Sequence, residues 1–424
     1  MKTHRVGVLL LVVACGTVDA NDRLPYSTVT DTVGDTVVAR TTGIVPDSLV
    51  RRLTIEWRAE VDPNDTASIG DVSDLEAAAD GRVYVWDPAT PALWIVDDAG
   101  TALRRVGRRG SGPGEYQRVN GIAIRHDGRL VMWDEGNTRV NVYDHDGAFI
   151  TSSTLPFSYC CPGASVMTDT QNRVWLRSGM GLSLDKAKSK APDPGRDLQA
   201  WFRYDSSGTV IDSIVMQPLP GDHPRVVAVN QSRTGTSMSA TTIPFGTRSM
   251  FTVSPAGHMV FGQGRPYVVY SELDGKPLRI ERESRAVPVS DDERSQNRAA
   301  IEFNMRRVVP TWTWNGPEIP TEKLYYTSLA VGGDGRIWVS LSVESEEYEP
   351  DPPPASQPNP PPPIRFRPKE RRYDVFERDG RYLGQVVAPR LFGAYVMKGD
   401  SIWGVLRDEN DVPTVVKMRL DKPL

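Results

Sequence analysis

Gly128-Arg-Leu-Val-Met-Trp-Asp134 follows Gly121-Ile-Ala-Ile124 and precedes Asn137-Thr-Arg139 and Val142-Tyr-Asp-His-Asp-Gly147. Short apolar runs bounded by turn residues are strands, and the lack of alternation means that both faces are buried. Asp-Gly between apolar runs is a strong hairpin signal. Residues 120–155 therefore read as a four-stranded antiparallel meander. Five further stretches stack on the same pattern: Gly81–Asp87, Asn172–Ser178, Gly257–Gln263, Gly335–Leu341 and Asp400–Leu406. Further turns recur at Asp98-Ala-Gly100, Ser207-Gly208, Asp274-Gly275 and Asp379-Gly380.

A meander apolar on both faces cannot bury itself alone, whereas copies stacked radially around an axis can. The reading is an all-β, six-bladed β-propeller of four-stranded meanders. The repeats stand 47, 44, 85, 78 and 65 residues apart by their turn positions 81, 128, 172, 257, 335 and 400. Dividing the interval of 85 would make seven blades, but residues 219–248 carry no second hairpin signal. The last blade lacks an outer strand before the chain stops at Leu424. An N-terminal strand is expected to close it, and Thr36-Val-Val-Ala39 within 28–41 is the candidate. Closure removes an open edge.

The composition agrees with a turn-rich β fold: 36 Gly and 34 Pro in 424 residues, with 39% hydrophobic residues. Lys+Arg 50 against Asp+Glu 54 provides no basic field for nucleic acid. Residues 1–15, MKTHRVGVLLLVVAC, carry Lys2 and Arg5 before an apolar stretch too short to span a bilayer. They read as a secretory signal. Val12-Val13-Ala14-Cys15 resembles the bacterial lipobox, so Cys15 is the expected lipidation site, with acyl chains holding the protein at a membrane. Gly16 after the cysteine favours the outer membrane in a Gram-negative cell. The organisation is then signal 1–15, linker 16–27 and one propeller domain 28–424, expected as a monomer. Cys160 and Cys161 are adjacent: either a vicinal disulfide or two packed thiols.

Insertions fall at 178–200, 284–326 and 345–372. Residues 182–198 read as a surface loop. Ser290-x-x-Glu293 is a candidate capping box opening a helix to about Arg307. Trp312 and Trp314 then either plug the flank of the ring or form a carbohydrate platform. Residues 350–368 hold 10 of the prolines, which enforce polyproline II. That stretch is a stiff solvated loop or a docking segment for a protein or glycan partner.

No Gly-x-Ser-x-Gly, His-Glu-x-x-His or Gly-Lys-Ser/Thr occurs, so nucleophile-elbow, zincin and P-loop chemistries lack their hallmarks. His126, His145 and His258 fall in or beside turns and do not suggest a converging metal site. Gly107–Gly114 leads into a strand and reads as a blade-linking turn. No cofactor is expected. Asp62, Asn64, Asp65, Asp71 and Asp74 could supply oxygen ligands to Ca²⁺, although their spacing fits no loop motif. Propeller ligands bind at a channel mouth, on loops leading into the inner strands. Those loops carry Asp74, Arg118, Asn120, Ser165, Arg248 and Tyr326, able to hold an anionic or sugar-like ligand or to pair with one another.

The stretch Gly107–Tyr116 with Ile122–Ile124, His126–Gly128, Trp133-Asp134 and Val142–Gly147 resembles an NHL-type repeat. With the segment Asp31–Val38, the chain resembles bacterial six-bladed β-propeller lipoproteins of unassigned activity. The resemblance implies the fold, and it implies no reaction. The expected function is a binding or scaffolding propeller. The alternative is a metal-dependent propeller enzyme of lactonase or lyase type.

Overall fold

A computed structural model describes residues 24–59, 69–154, 166–179, 199–205, 207–216, 219, 223–232, 235–353 and 359–424. Four strands form each of six antiparallel meanders, and in the first five blades their order in the sheet follows the chain. Blade one holds Asp74–Ala77, Val83–Asp87, Ala92–Val96 and Ala102–Val106; blade two holds Val119–Ile124, Leu130–Asp134, Arg139–Tyr143 and Phe149–Thr154. The second and third strands of blade one and the second of blade two are buried throughout, as their unbroken apolar runs require.

The inner strands of blades three to six are Val166–Thr168, Met250–Val253, Tyr326–Val331 and Phe392–Lys398. A separate apolar core fills each junction between neighbours around the ring. Trp86 and Tyr116 sit between blades one and two, and Trp133 and Phe202 between two and three. Trp175 meets Val253 between three and four, and Val269 meets Val339 between four and five. Trp338 and Phe392 pack between five and six, and Leu75 with Trp403 and Val405 closes six onto one. The molecule is a closed six-bladed β-propeller.

An N-terminal strand completes the last blade, but it is not the one expected. Arg51–Arg58 pairs antiparallel with Pro413–Leu420, with Leu53 opposite Leu420 and Ile55 opposite Met418. Thr36–Gly43 instead adds to blade four, parallel to Lys276–Arg282, and Tyr26–Val33 pairs with it as a sixth strand. Between the two, Arg51 and Arg52 also pair with Val386 and Val387 of blade five. The N-terminal segment is thus a belt over the outer edges of three blades. Tyr26 anchors it, stacking edge-on against Tyr382 at 4.9 Å and donating its hydroxyl to Leu383 O at 3.3 Å. Strand structure begins at Tyr26, two residues before the expected domain boundary.

Residues 219–248 do contain a hairpin, Arg225–Ser232 with Gly235–Thr242. It is a two-stranded sheet apart from the blades, so the blade count stays at six. Val226 and Ala228 on one of its faces pack against Ile301 and Met305 of a helix, Asp291–Val308, and against Trp312. Ser290 caps that helix, accepting from Glu293 N at 3.1 Å. The reciprocal half of a capping box is replaced: the Glu293 carboxylate accepts from Ser345 Oγ at 2.8 Å and faces Lys323 at 3.5 Å. In blade five, Arg371 and Arg372 already belong to the strand Arg371–Phe376, so the insertion ends before them.

Candidate functional site

Antiparallel order sorts the connections by side. In every blade the first and third strands run away from one mouth of the channel and the second and fourth run back. Turns at the far mouth are short and closed by backbone pairs, as in Ala78 N to Arg82 O at 2.8 Å and Asp144 N to Ala148 O at 2.9 Å. All the long connections start and end at the other mouth: 59–73, 107–118, 155–165, 180–198, 217–249, 283–325 and 342–370. This is the mouth at which the inner strands begin, and the candidate site lies there.

Its frame comes from the Trp-Asp dipeptides of the repeat. Asp87 is fully buried and accepts from Gly70 N at 2.8 Å, Asp71 N at 3.1 Å and Thr90 Oγ1 at 2.5 Å. Asp134 does the same in blade two, accepting from Gln117 N at 3.0 Å, Arg118 N at 3.2 Å and Asn137 Nδ2 at 2.6 Å. Each carboxylate ties the segment leading into an inner strand to the loop between strands two and three. Gly107–Gly114 is a blade-linking turn, held by Arg139 through the carbonyls of Ser111, Gly112 and Glu115.

On this frame Arg118 meets Glu135 at 3.1 Å and Asn120 Nδ2 donates to Glu135 Oε2 at 2.8 Å. Arg118 keeps 69% of its side chain exposed. Gly121 follows because a Cβ there would come within 3.0 Å of Val166 Cγ1. Asp74 bridges two blades: its Oδ2 accepts from Ile122 N at 2.7 Å and its Oδ1 from Leu75 N at 2.9 Å. Burial outweighs those hydrogen bonds and pushes its carboxyl up to about 7. Glu76, two residues along the same strand face, is also raised, by burial and then by Asp74, with Lys398 opposing. Arg248 is exposed and donates to Thr327 O at 2.8 Å.

Tyr326 is not at an open surface. It is fully buried, and its hydroxyl donates to Val268 O at 2.6 Å. Cys15, Cys160, Cys161, Ser165, Asp62, Asn64 and Asp65 lie outside the described residues. Of the calcium candidates, Asp71 pairs with Arg407 at 2.6 Å, which lowers its pKa, and Asp74 is engaged as above. Among the described residues no three His, Cys, Asp or Glu side chains form a metal-binding group.

The sequence reading missed Glu135, Glu76, Lys398 and the Asp71–Arg407 pair. Glu76 was findable from the two-residue strand period; the others depend on contacts between blades or between loop and strand. A cleft of about 400 Å³ opens at this mouth between Phe245 and Ile243 on one side and Pro317 and Glu322 on the other, with Arg265 at its wall. Arg265 pairs with Glu322 at 2.9 Å.

The two tryptophans do not form an exposed pair. Trp312 is buried and donates to Val227 O at 2.8 Å, while Trp314 donates to Pro317 O at 2.9 Å beneath Arg298. The Pro-rich loop is tied back: Ser345–Glu347 pairs with Phe366–Pro368, Arg365 N donates to Gln296 of the helix, and Asn359 and Pro362 line a cleft with Phe303.

Comparison with known proteins agrees with this architecture. The DUF5128 family model, described as a 6-bladed beta-propeller, matches residues 62–190. No curated protein matches the chain at a significant level. A DUF4221-family protein from Bacteroides vulgatus superposes with a TM-score of 0.50 at 11% identity, covering 88% of this chain and 99% of its own. A candidate exported protein from Bacteroides fragilis gives 0.45 at 12% identity, covering 90% and 98%. A streptogramin B lyase gives 0.37 at 11% identity, covering 87% and 98%. At such identities the likeness is one of fold.

Proposed function

We propose that this chain is an exported, lipid-anchored binding propeller whose insertion-bearing mouth takes a small anionic or sugar-like ligand or a protein partner. The carrying observation is the one-sidedness of the molecule: every long connection starts and ends at one mouth, while the other has short, internally hydrogen-bonded turns. Long loops on a rigid scaffold are where binding groups concentrate. Two exposed arginines, Arg118 and Arg248, and the cleft beside Arg265 suit carboxylate or phosphate oxygens. A thermal-shift panel of sugar acids, phosphosugars and oligosaccharides tests it. A stabilising ligand should lose at least most of its shift in Arg118→Ala or Arg248→Ala. A shift unaffected by both would move the site elsewhere.

A second reading, a propeller enzyme of lactonase or lyase type, is favoured by one observation: Asp74 titrates near neutrality beside Glu76, as acid–base groups often do. Turnover of a lactone panel that Asp74→Asn abolishes without lowering the melting temperature would establish it. Identical turnover in the variant would remove Asp74 from the chemistry.

A further inference from the structure

We propose that the insertion-bearing mouth faces the membrane, so that the long connections lie between the ring and a lipid headgroup surface. The inference rests on the reading of Cys15 as the lipid anchor and adds the orientation. Where the tether reaches the fold is decided by strand direction. Thr36–Gly43 is parallel to Lys276–Arg282, the outer strand of blade four, which runs toward the insertion-bearing mouth. Tyr26–Val33 is antiparallel to it, with Tyr26 opposite Gly43. The chain therefore joins blade four at that mouth's rim, and Glu283 N to Thr41 O at 3.0 Å holds the junction.

Only residues 16–25 separate the anchor from the strand that opens at Tyr26, a reach of about 33–36 Å at full extension. The flank they would have to descend to bring the other mouth to the membrane is an eight-residue strand, Tyr26–Val33, or about 27 Å. Turning the other mouth down would consume most of the tether; turning this one down uses almost none. Apolar side chains stand exposed beside the tether. Leu24 is 57% exposed and Ile44 is 46% exposed, and Val412, on the blade-six loop at the same mouth, is 53% exposed. Apolar side chains at a tethered face add to anchoring by a single lipid attachment.

Energy transfer measures the orientation. Full-length acylated protein carrying Cys160→Ser and Cys161→Ser receives one dye-labelled position, Val412→Cys at this mouth or His126→Cys at the other. Both sites are exposed. Each is reconstituted in phosphatidylethanolamine–phosphatidylglycerol vesicles with an acceptor on the headgroups. Transfer should be roughly twofold or more higher from position 412, given faces separated by about a strand length. A flexible Gly/Ser segment inserted after Gly16 should shrink that difference. Equal or higher transfer from position 126 in an acylated protein would overturn the orientation alone. An N-terminal peptide without acyl chains by mass spectrometry, or undiminished vesicle flotation of Cys15→Ser, would overturn the anchor reading and the orientation with it.

Discussion

Asp374 and Arg282 show what a single residue does in this ring. Both side chains are almost wholly buried between blades four and five, 2.8 Å apart. Asp374 also accepts from Tyr267 and Tyr382 at 2.7 Å each and from Gln385 at 3.1 Å. Removing one partner of a buried pair strands the other, so Asp374→Ala should cost about 3–5 kcal/mol in urea unfolding. A loss under about 1 kcal/mol would show water reaching Arg282. Asp74 makes a pH prediction. Folding raises its pKa from 3.8 to about 7, so between those values the folded chain holds a proton that the unfolded chain has released. Its contribution is fully present below the unfolded value and is lost as pH rises through about 7. Asp74→Asn should therefore gain stability relative to the parent as pH is raised across that window; parallel curves would refute the shift. At this scale the sequence was half legible. Trp133-Asp134 was visible as a strand end, but the donors to Asp134 come from residues 117 and 118, which only the fold brings near.

Elements were legible in kind and less so in place. Repeated turn–apolar–turn units identified the strands of blades one and two because both faces are buried and the turns carry Asp-Gly. The closing strand was misplaced because Thr36–Gly43 and Arg51–Arg58 both read as strands, and strand character does not say which sheet edge is filled. The hairpin at 225–242 was missed because its turn has no Asp-Gly signal and its outer face is not core. Truncation separates the two N-terminal parts. Removing residues 24–43 should strip the Tyr26–Tyr382 contact and lower the melting temperature while a cooperative transition remains. Extending the deletion to residue 58 should abolish that cooperativity, since blade six then has an open edge. Equal effects of both truncations would contradict closure by Arg51–Arg58. Ser290→Ala should cost about 1 kcal/mol through the lost cap, measured as a shifted unfolding midpoint; no shift would mean Glu293 and Lys323 alone hold the helix start.

For the whole molecule, the sequence carried the ring and its count of blades because six similar units must stack to bury their faces. It did not carry the sidedness. Insertions appear along the chain as separate interruptions, and only alternating strand direction gathers them at one mouth. That gathering places Arg118, Arg248, the cleft beside Arg265 and the helix Asp291–Val308 on a common side, opposite the His126 and Asp379 turns. The direct test is photo-crosslinking in cells of the parent organism, with a benzophenone amino acid at Thr247, Arg390 or Val412 on one mouth and at His126, Asp274 or Asp379 on the other. Adducts confined to the first three positions are the expected result. Adducts from the second three, with none from the first, would contradict the assignment of the binding face.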